Sequence, residues 1–234
     1  MATIRILSGG AAQAVVEAIA AEFERETGHT VDGEFSAVGA MAAKLDAGEP
    51  ADVVILTDRL IDELIARGKV AGGTRADLGY VGTGVAVRAG TPMPDVSNAR
   101  VLRGNLLAAS KIVCPDPAVA TAGKVVMALL ERLAIADEVP AKLQFFPNGY
   151  AAMAWLAASS GLREMGITQI TEIRANKGVT LAGPLPQDLQ ARTMYSAGLV
   201  SRAPHEDIAC EFIARLTAAA SLQVRLAAGF EAER

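Results

Sequence analysis

Five short segments of small and hydroxyl-bearing residues lie where a predicted strand passes into a predicted helix. They are Ser8-Gly9-Gly10, Ser36-Ala37-Val38-Gly39, Pro117 to Gly123, Pro147-Asn148-Gly149 and Thr168-Gln169. The first backbone N–H groups of a helix have no partner within it, and the helix dipole adds partial positive charge there. One such segment alone is also what an ordinary helix cap looks like. Five in one chain favour a site for a small anion.

The residues predicted to contact the anion combine backbone amides with neutral side-chain donors. They are Ser8, Gly9, Gly10, Ser36, Ala37, Val38, Gly39, Thr121, Ala122, Gly123, Asn148 and Gln169. Neutral donors of this kind suit a molecule with several carboxylates. Lys44 could also reach a carboxylate, or it is a solvated surface lysine. The polar segment Thr168 to Glu172 either faces the ligand or caps a helix, with Glu172 in the first turn.

The elements that must position these segments alternate between strand and helix. Apolar runs at Ile4 to Leu7, Val31 to Phe35 and Val53 to Leu56 are separated by helical patterns, which predicts a parallel sheet. A second α/β block follows, with strands at Lys111 to Cys114, Leu143 to Phe146 and Gly166 to Thr168. Ligands of such sheets bind beyond the carboxyl ends of the strands.

Two further strands predict a division into two lobes. Leu78 to Ala89 is a long strand interrupted by glycines, and Thr193 to Val200 runs back. The predicted fold is α/β, with lobe I at residues 1–82 and 197–234 and lobe II at residues 83–196. We expect a central cleft between the lobes, closing by hinge motion at the two crossover strands near residues 82–85 and 196–199.

Composition excludes several classes of function. The 234 residues are 51% hydrophobic with a net charge of −4, and no basic block is present, so nucleic acid is not an expected partner. The sequence contains no run of about 20 apolar residues, so no membrane span is predicted. With two histidines and two cysteines, we expect no metal site and no cofactor. Cys114 and Cys210 are predicted to be buried free thiols.

The N-terminus carries no recognisable export signal. Met1-Ala2-Thr3 leads directly into the first predicted strand, without a basic segment, an apolar segment or a cleavage site. We therefore expect the chain to be cytoplasmic, or periplasmic if a leader was removed from it.

Three motifs carry a resemblance to a known family. Gly48-Glu49-Pro50-Ala51-Asp52, Asp116-Pro117 with Thr121-Ala122-Gly123, and Gly229-Phe230 make the chain resemble the periplasmic molybdate-binding proteins of the type II solute-binding fold. In that family two serines and a tyrosine bind the oxyanion. The matching positions here are Ala11, Val38 and a position near Gln169. The resemblance therefore implies an anion site that lacks three usual donors, which favours a di- or tricarboxylate over molybdate.

Two functions follow from these observations. The first is binding of the anion, with a membrane transporter as partner if the chain is exported. The second is a cytoplasmic isomerase of a small unsaturated carboxylate, because some relatives of this family resemble aconitate isomerase. Such an enzyme needs a base within reach of a carbon atom. Asp116, Glu172 and Tyr195 are the candidates, and the sequence does not decide among them, so the catalytic residues stay unassigned.

Overall fold

The computed structural model describes residues 1–231, which form two compact units. Unit 1 comprises Met1–Tyr80 together with the chain from Thr193 onward, and unit 2 comprises Val81–Arg192. Nine strands and nine α-helices are described within these residues. In chain order they are β1 (Thr3–Gly9), α1 (Gln13–Thr27), β2 (Thr30–Ser36), α2 (Val38–Asp46), β3 (Val53–Thr57), α3 (Asp58–Ala66), β4 (Ala76–Arg88), α4 (Ala99–Ala108), β5 (Lys111–Pro115), α5 (Thr121–Arg132), β6 (Leu143–Phe146), α6 (Gly149–Ala158), β7 (Glu164–Gln169), α7 (Ile170–Ala175), β8 (Val179–Pro184), β9 (Arg192–Leu199), α8 (Glu206–Thr217) and α9 (Leu222–Ala228).

The sheet of unit 1 has the order β2-β1-β3-β9. β1 runs parallel to β2 and β3, and β9 runs antiparallel to β3. Gly9 at the end of β1 is paired with Ser36 at the end of β2. The parallel pairing therefore brings the first two predicted turns to one edge of the sheet. Helix α1 buries its apolar stripe, and Phe23 meets Phe212 of α8 edge-on at 5.2 Å between ring centroids.

The sheet of unit 2 is built from β8, β4, β7, β5 and β6 in that order. β5 is parallel to both β6 and β7, whereas β4 is antiparallel to β7 and β8. Helices α5, α6 and α7 each begin where one of the three parallel strands ends. Consequently the remaining three predicted turns also lie at one edge of one sheet, as the alternation of strands and helices predicted.

Helix α4 was not predicted. Only the elements on either side of it were predicted, although Asn98 is an N-cap whose Oδ1 accepts a hydrogen bond from Val101 N at 3.0 Å. Leu102 and Leu106 are fully buried in the core of unit 2. The helix presents only a narrow apolar stripe between polar residues, so its pattern is weak in the sequence.

The two cysteines are free thiols, as predicted, but only one is buried. Cys114 lies in β5, where burial raises the pKa of its thiol to about 12, with the Asp116 carboxylate adding to the effect. Cys210 is exposed on α8, so the prediction of burial was wrong there. Within residues 1–231 no helix is long and apolar enough to span a membrane, and no three potential metal ligands come together.

Candidate functional site

In unit 1 the end of β1, the start of α2 and β9 meet closely at Gly9. A methyl group at residue 9 would lie 2.7 Å from Val38 Cγ1 and 3.2 Å from Tyr195 Cε1. These contacts are too short for any residue but glycine. Ser8 is fully buried, and its hydroxyl donates to the Gly9 carbonyl at 3.0 Å. The structure thus brings Ser8, Gly9 and Val38 together, with Tyr195 as an additional neighbour, and their contact with an anion stays a prediction.

Two helices follow an N-cap residue with an extended backbone and have no acceptor at that N-cap side chain. The N-cap residue of α2 is Ala37 and that of α5 is Ala120, and neither helix has a side-chain cap or an acidic residue in its first turn. The first intrahelical bonds are donated by Met41 N and Lys124 N. The three N–H groups that precede each of these bonds are therefore available to a ligand.

Three other helices, α3, α4 and α6, have a side-chain cap at the N-cap residue. The Thr57 hydroxyl accepts from Leu60 N at 3.4 Å at the start of α3, and Asn98 caps α4. Asn148 caps α6, its Oδ1 accepting from Ala151 N at 2.8 Å. Helix α8 lacks a side-chain cap but carries Glu206 and Asp207 in its first turn. Because the side chain of alanine cannot accept a hydrogen bond, the starts of α2 and α5 differ from these in leaving their first amides without a side-chain acceptor.

Thr121 is the first residue of α5 and is half-buried. Its hydroxyl makes no hydrogen bond with any residue of the described chain, so it is free to donate to a ligand. Gly123, also predicted to contact the anion, has a packing role: a methyl group there would press on the Pro115 carbonyl oxygen and lie 2.6 Å from Pro117 N. The close approach that this glycine permits is between helix α5 and its own preceding turn.

The carboxylate of Glu172 forms hydrogen bonds at the start of α6 and at the start of α7. Glu172 is 5% exposed and accepts a hydrogen bond from Thr168 Oγ1 at 2.5 Å. It also accepts from the backbone N–H groups of Gly149 and Gln169. Glu172 is the third residue of α7 and Gln169 is its N-cap. The arrangement is therefore a helix cap, which is one of the two predicted roles of the segment Thr168 to Glu172. The amides of Gly149 and Gln169 are therefore already engaged, unlike those of α2 and α5.

Burial raises the pKa of Glu172 to about 7, because the charged carboxylate loses its hydration. The hydrogen bonds from Thr168, Gly149 and Gln169 oppose this rise without cancelling it. A carboxyl group with a pKa near neutrality can both take up and release a proton at physiological pH. Asp116, another candidate base, uses its Oδ1 to accept from Ala118 N at 2.8 Å in the turn before α5.

Two buried hydroxyls lie near Glu172, of which Thr171 belongs to the polar segment already singled out and Thr83 was not predicted. Thr83 and Thr171 are at most 1% exposed, and the Oγ1 atom of each has no hydrogen-bond partner in the described part of the chain. Thr83 lies opposite Gln169 in the β4–β7 pairing. The available signal was the position of Thr83 between two glycines in a strand that otherwise consists mainly of apolar residues.

Several residues singled out in the sequence serve the fold. Asp52 is 3% exposed and accepts from Arg5 N at 2.9 Å and His205 N at 3.2 Å, at the edge of the sheet where β3 begins. Lys44 forms a surface ion pair with Glu34, so it is engaged on the surface of unit 1. Ala11 and Val38 are both buried, and neither alanine nor valine carries a hydroxyl that could donate to an anion.

Comparison with known proteins places the chain in a family. A family model described as bacterial extracellular solute-binding protein matches residues 4–231. The chain is 30% identical over 212 residues to an aconitate isomerase of a Pseudomonas species, an alignment that covers 88% of this chain and 79% of that protein. It is 24% identical over 199 residues to the molybdate-binding protein ModA of Escherichia coli K12, covering 84% of this chain and 77% of that protein.

The fold agrees with these relationships. The solved structure of the periplasmic molybdate-binding protein of Azotobacter vinelandii matches 99% of this chain and all of its own length, with a TM-score of 0.84 at 18% identity. The predicted periplasmic-binding-protein fold is therefore confirmed, as is the resemblance to molybdate-binding proteins and aconitate isomerase. The chain belongs to the family of bacterial extracellular solute-binding proteins.

Proposed function

We propose that this protein binds a small di- or tricarboxylate anion at an uncapped helix start, which unit 1 offers at α2 and unit 2 offers at α5. The observation that carries the proposal is the pair of alanine N-caps, Ala37 and Ala120, each followed by three N–H groups without an intrahelical partner. A carboxylate accepts two or three such N–H groups readily. The free hydroxyl of Thr121 adds a neutral donor to the α5 set. It stays a prediction that one ligand contacts both the first N–H groups of α2 and the first N–H groups of α5.

A tetrahedral oxyanion such as molybdate suits these groups less well. Ala11 and Val38, at the positions where the resembling family has serines, are buried apolar side chains. Each missing donor to a desolvated anion costs about 1–3 kcal/mol. The relative at 30% identity is named for its action on aconitate, a tricarboxylate, and this supports the same choice of ligand class.

Titration calorimetry with a panel of anions tests the proposal. We expect citrate or trans-aconitate to bind saturably and more tightly than molybdate, tungstate or sulfate. Submicromolar binding of molybdate, with no heat from either carboxylate, would reject a carboxylate site.

A second function, isomerisation of an unsaturated carboxylate, is favoured by Glu172. Its buried carboxyl group, with a pKa of about 7, lies in hydrogen-bond contact with the starts of two helices at the same sheet edge as Thr121. In such a reaction the base removes a proton from one carbon, the double bond shifts, and the proton is returned to another carbon. Glu172 is suited to take and return that proton.

Proton NMR of cis- and trans-aconitate in D2O distinguishes catalysis from binding alone. An isomerase interconverts the two isomers and incorporates solvent deuterium. Glu172→Gln is expected to abolish both signals while carboxylate binding persists. Turnover at the wild-type rate in this variant would exclude Glu172 as the base, and no turnover in the wild type would leave binding as the function.

A further inference from the structure

Glu172 connects the starts of two helices of unit 2 that flank the end of β5. Its carboxylate accepts from the backbone N–H of Gly149, the first residue of α6, and from that of Gln169, the N-cap of α7. Helices α6 and α7 follow β6 and β7, and β5 lies between these two strands in the sheet. The carboxyl group therefore lies beside the position where β5 ends and the chain turns into α5.

The start of α5 is held close to that same position. Asp116 N donates to the Phe146 carbonyl at 2.7 Å, so the pairing of β5 with β6 continues into the turn. Gly123, in the first turn of α5, packs on this turn, since a methyl group there would lie 2.6 Å from Pro117 N. An anion on the first amides of α5 is therefore expected within about two strand spacings of Glu172, which is roughly 10 Å.

The surroundings of Glu172 are neutral and buried. The causes that set its pKa are burial itself, the Thr168 hydroxyl and the two amides. Helix α7 packs against α6, β7 and β8. The ionisable side chains of these elements and of the adjoining turn are Tyr150 near the start of α6, Glu164 at the opposite end of β7, Arg174 on α7 itself and Asp116 after β5. Because water does not screen a buried carboxyl group, a charge that arrives nearby acts on it strongly.

The structure accommodates Glu172 in both protonation states. Thr168 Oγ1 and Glu172 Oε2 are 2.5 Å apart. A hydroxyl group can donate to a carboxylate and can accept from a carboxylic acid. With a pKa of about 7, the ionised and neutral forms of Glu172 are present in similar amounts at neutral pH. A modest change in the local field is therefore enough to convert one form into the other.

We propose that a carboxylate ligand binds at the start of α5 together with a proton, which Glu172 takes up. The inference rests on the carboxylate site proposed above and adds that its affinity is regulated by pH. A second negative charge near Glu172 disfavours the ionised form. One full charge at about 10 Å, with an effective dielectric constant of about 20, increases the proton affinity of Glu172 on the order of tenfold. In the isomerase alternative, the ionised base then forms in the complex only at higher pH.

Tricarballylate, a saturated tricarboxylate, is the probe because it has no double bond to shift. Its carboxyl groups ionise mainly below pH 7, as those of aspartate and glutamate do. Calorimetry in buffers of different ionisation enthalpy counts the protons exchanged on binding. With a tenfold change in proton affinity from a pKa of about 7, we expect uptake of about half a proton per ligand at pH 7.5. The affinity should fall about fivefold between pH 7 and pH 8.5.

Two variants and a control assign the proton to Glu172. Glu172→Gln should bind tricarballylate without proton uptake and with an affinity that stays constant over this pH range. Thr168→Val removes a donor that lowers the pKa of Glu172, so its proton uptake should reach a maximum at higher pH. Glu131→Gln, at an exposed carboxylate of α5, is the control and should take up protons as the wild type does.

Proton uptake that persists in Glu172→Gln, or a pH profile that is unmoved in Thr168→Val, would assign the protons to another group and overturn the proposal. Binding by the wild type without proton uptake would overturn the coupling alone and leave the carboxylate site in place. Failure of both tricarballylate and citrate to bind would overturn the carboxylate site, and the coupling with it.

Discussion

Replacing Glu172 by glutamine should change the pH dependence of folding stability. The folded protein holds the Glu172 proton up to a pKa of about 7, whereas an exposed glutamate releases it near 4.5. Between these values the folded state binds more protons than the unfolded state, so stability falls as pH rises. A shift from 4.5 to about 7 at 1.36 kcal/mol per unit amounts to about 3 kcal/mol.

Glutamine retains an oxygen that can accept from the Gly149 and Gln169 amides, and it carries no charge at any pH. The free energy of unfolding of Glu172→Gln minus that of the wild type should therefore rise by about 3 kcal/mol between pH 4.5 and pH 8. Urea unfolding followed by circular dichroism measures both proteins at each pH. Glu131→Gln, at an exposed carboxylate of unit 2, is the control and should not produce this rise. A difference that stays constant with pH would refute the argument.

Three further substitutions separate ligand binding from folding. Thr121→Val keeps the shape of the side chain but removes the free donor, so citrate affinity measured by calorimetry should fall by about 1–2 kcal/mol with unfolding unchanged; unaltered affinity would contradict the assigned contact. Asp52→Ala leaves two backbone N–H groups unpaired and should cost about 1–3 kcal/mol in urea unfolding, while citrate still binds to whatever fraction is folded. Gly9→Ala should lower the unfolding midpoint, at about 1–3 kcal/mol, because the new methyl group overlaps Val38; an unchanged midpoint would show that this contact relaxes freely.

The parts of the fold predicted from the sequence are those encoded by local pattern. Alternation of apolar runs with helical spacing predicts the α/β class, and small residues after Ser8 and Ser36 predict where helices start. Helix α4 was missed because only two of its residues, Leu102 and Leu106, are fully buried, with Ala99 and Leu107 packed partly against the same core. Cys210 is exposed because the inward face of α8 is formed by Ala209, Phe212, Ile213 and Leu216, a helical spacing that leaves residue 210 on another face.

The candidate site was predicted less completely because its character depends on contacts between distant residues. The sequence marks Thr168 to Glu172 as polar, but the contact of Glu172 with Gly149 arises only when α6 and α7 begin side by side. Thr83 reaches the same region through strand pairing with Gln169. By contrast, the absence of a cap on α5 can be read directly, since Ala120 precedes Thr121 and alanine has no acceptor.

The central claim, that an uncapped helix start receives the anion, is tested most directly by giving the helix its own carboxylate. Ala120→Asp places an acceptor at the N-cap of α5, where the backbone is already extended, with φ −118° and ψ 130°. We expect the free energy of unfolding to rise by about 0.5–2 kcal/mol. We expect citrate affinity in the same protein to fall at least about tenfold.

Asn98→Asp adds the same charge at the start of α4, which is already capped, and should change neither quantity. The decisive measurement is the citrate titration of Ala120→Asp beside that of Asn98→Asp. Loss of affinity in the first variant alone is the predicted result. Equal affinities in the two variants would contradict the claim that the start of α5 binds the ligand.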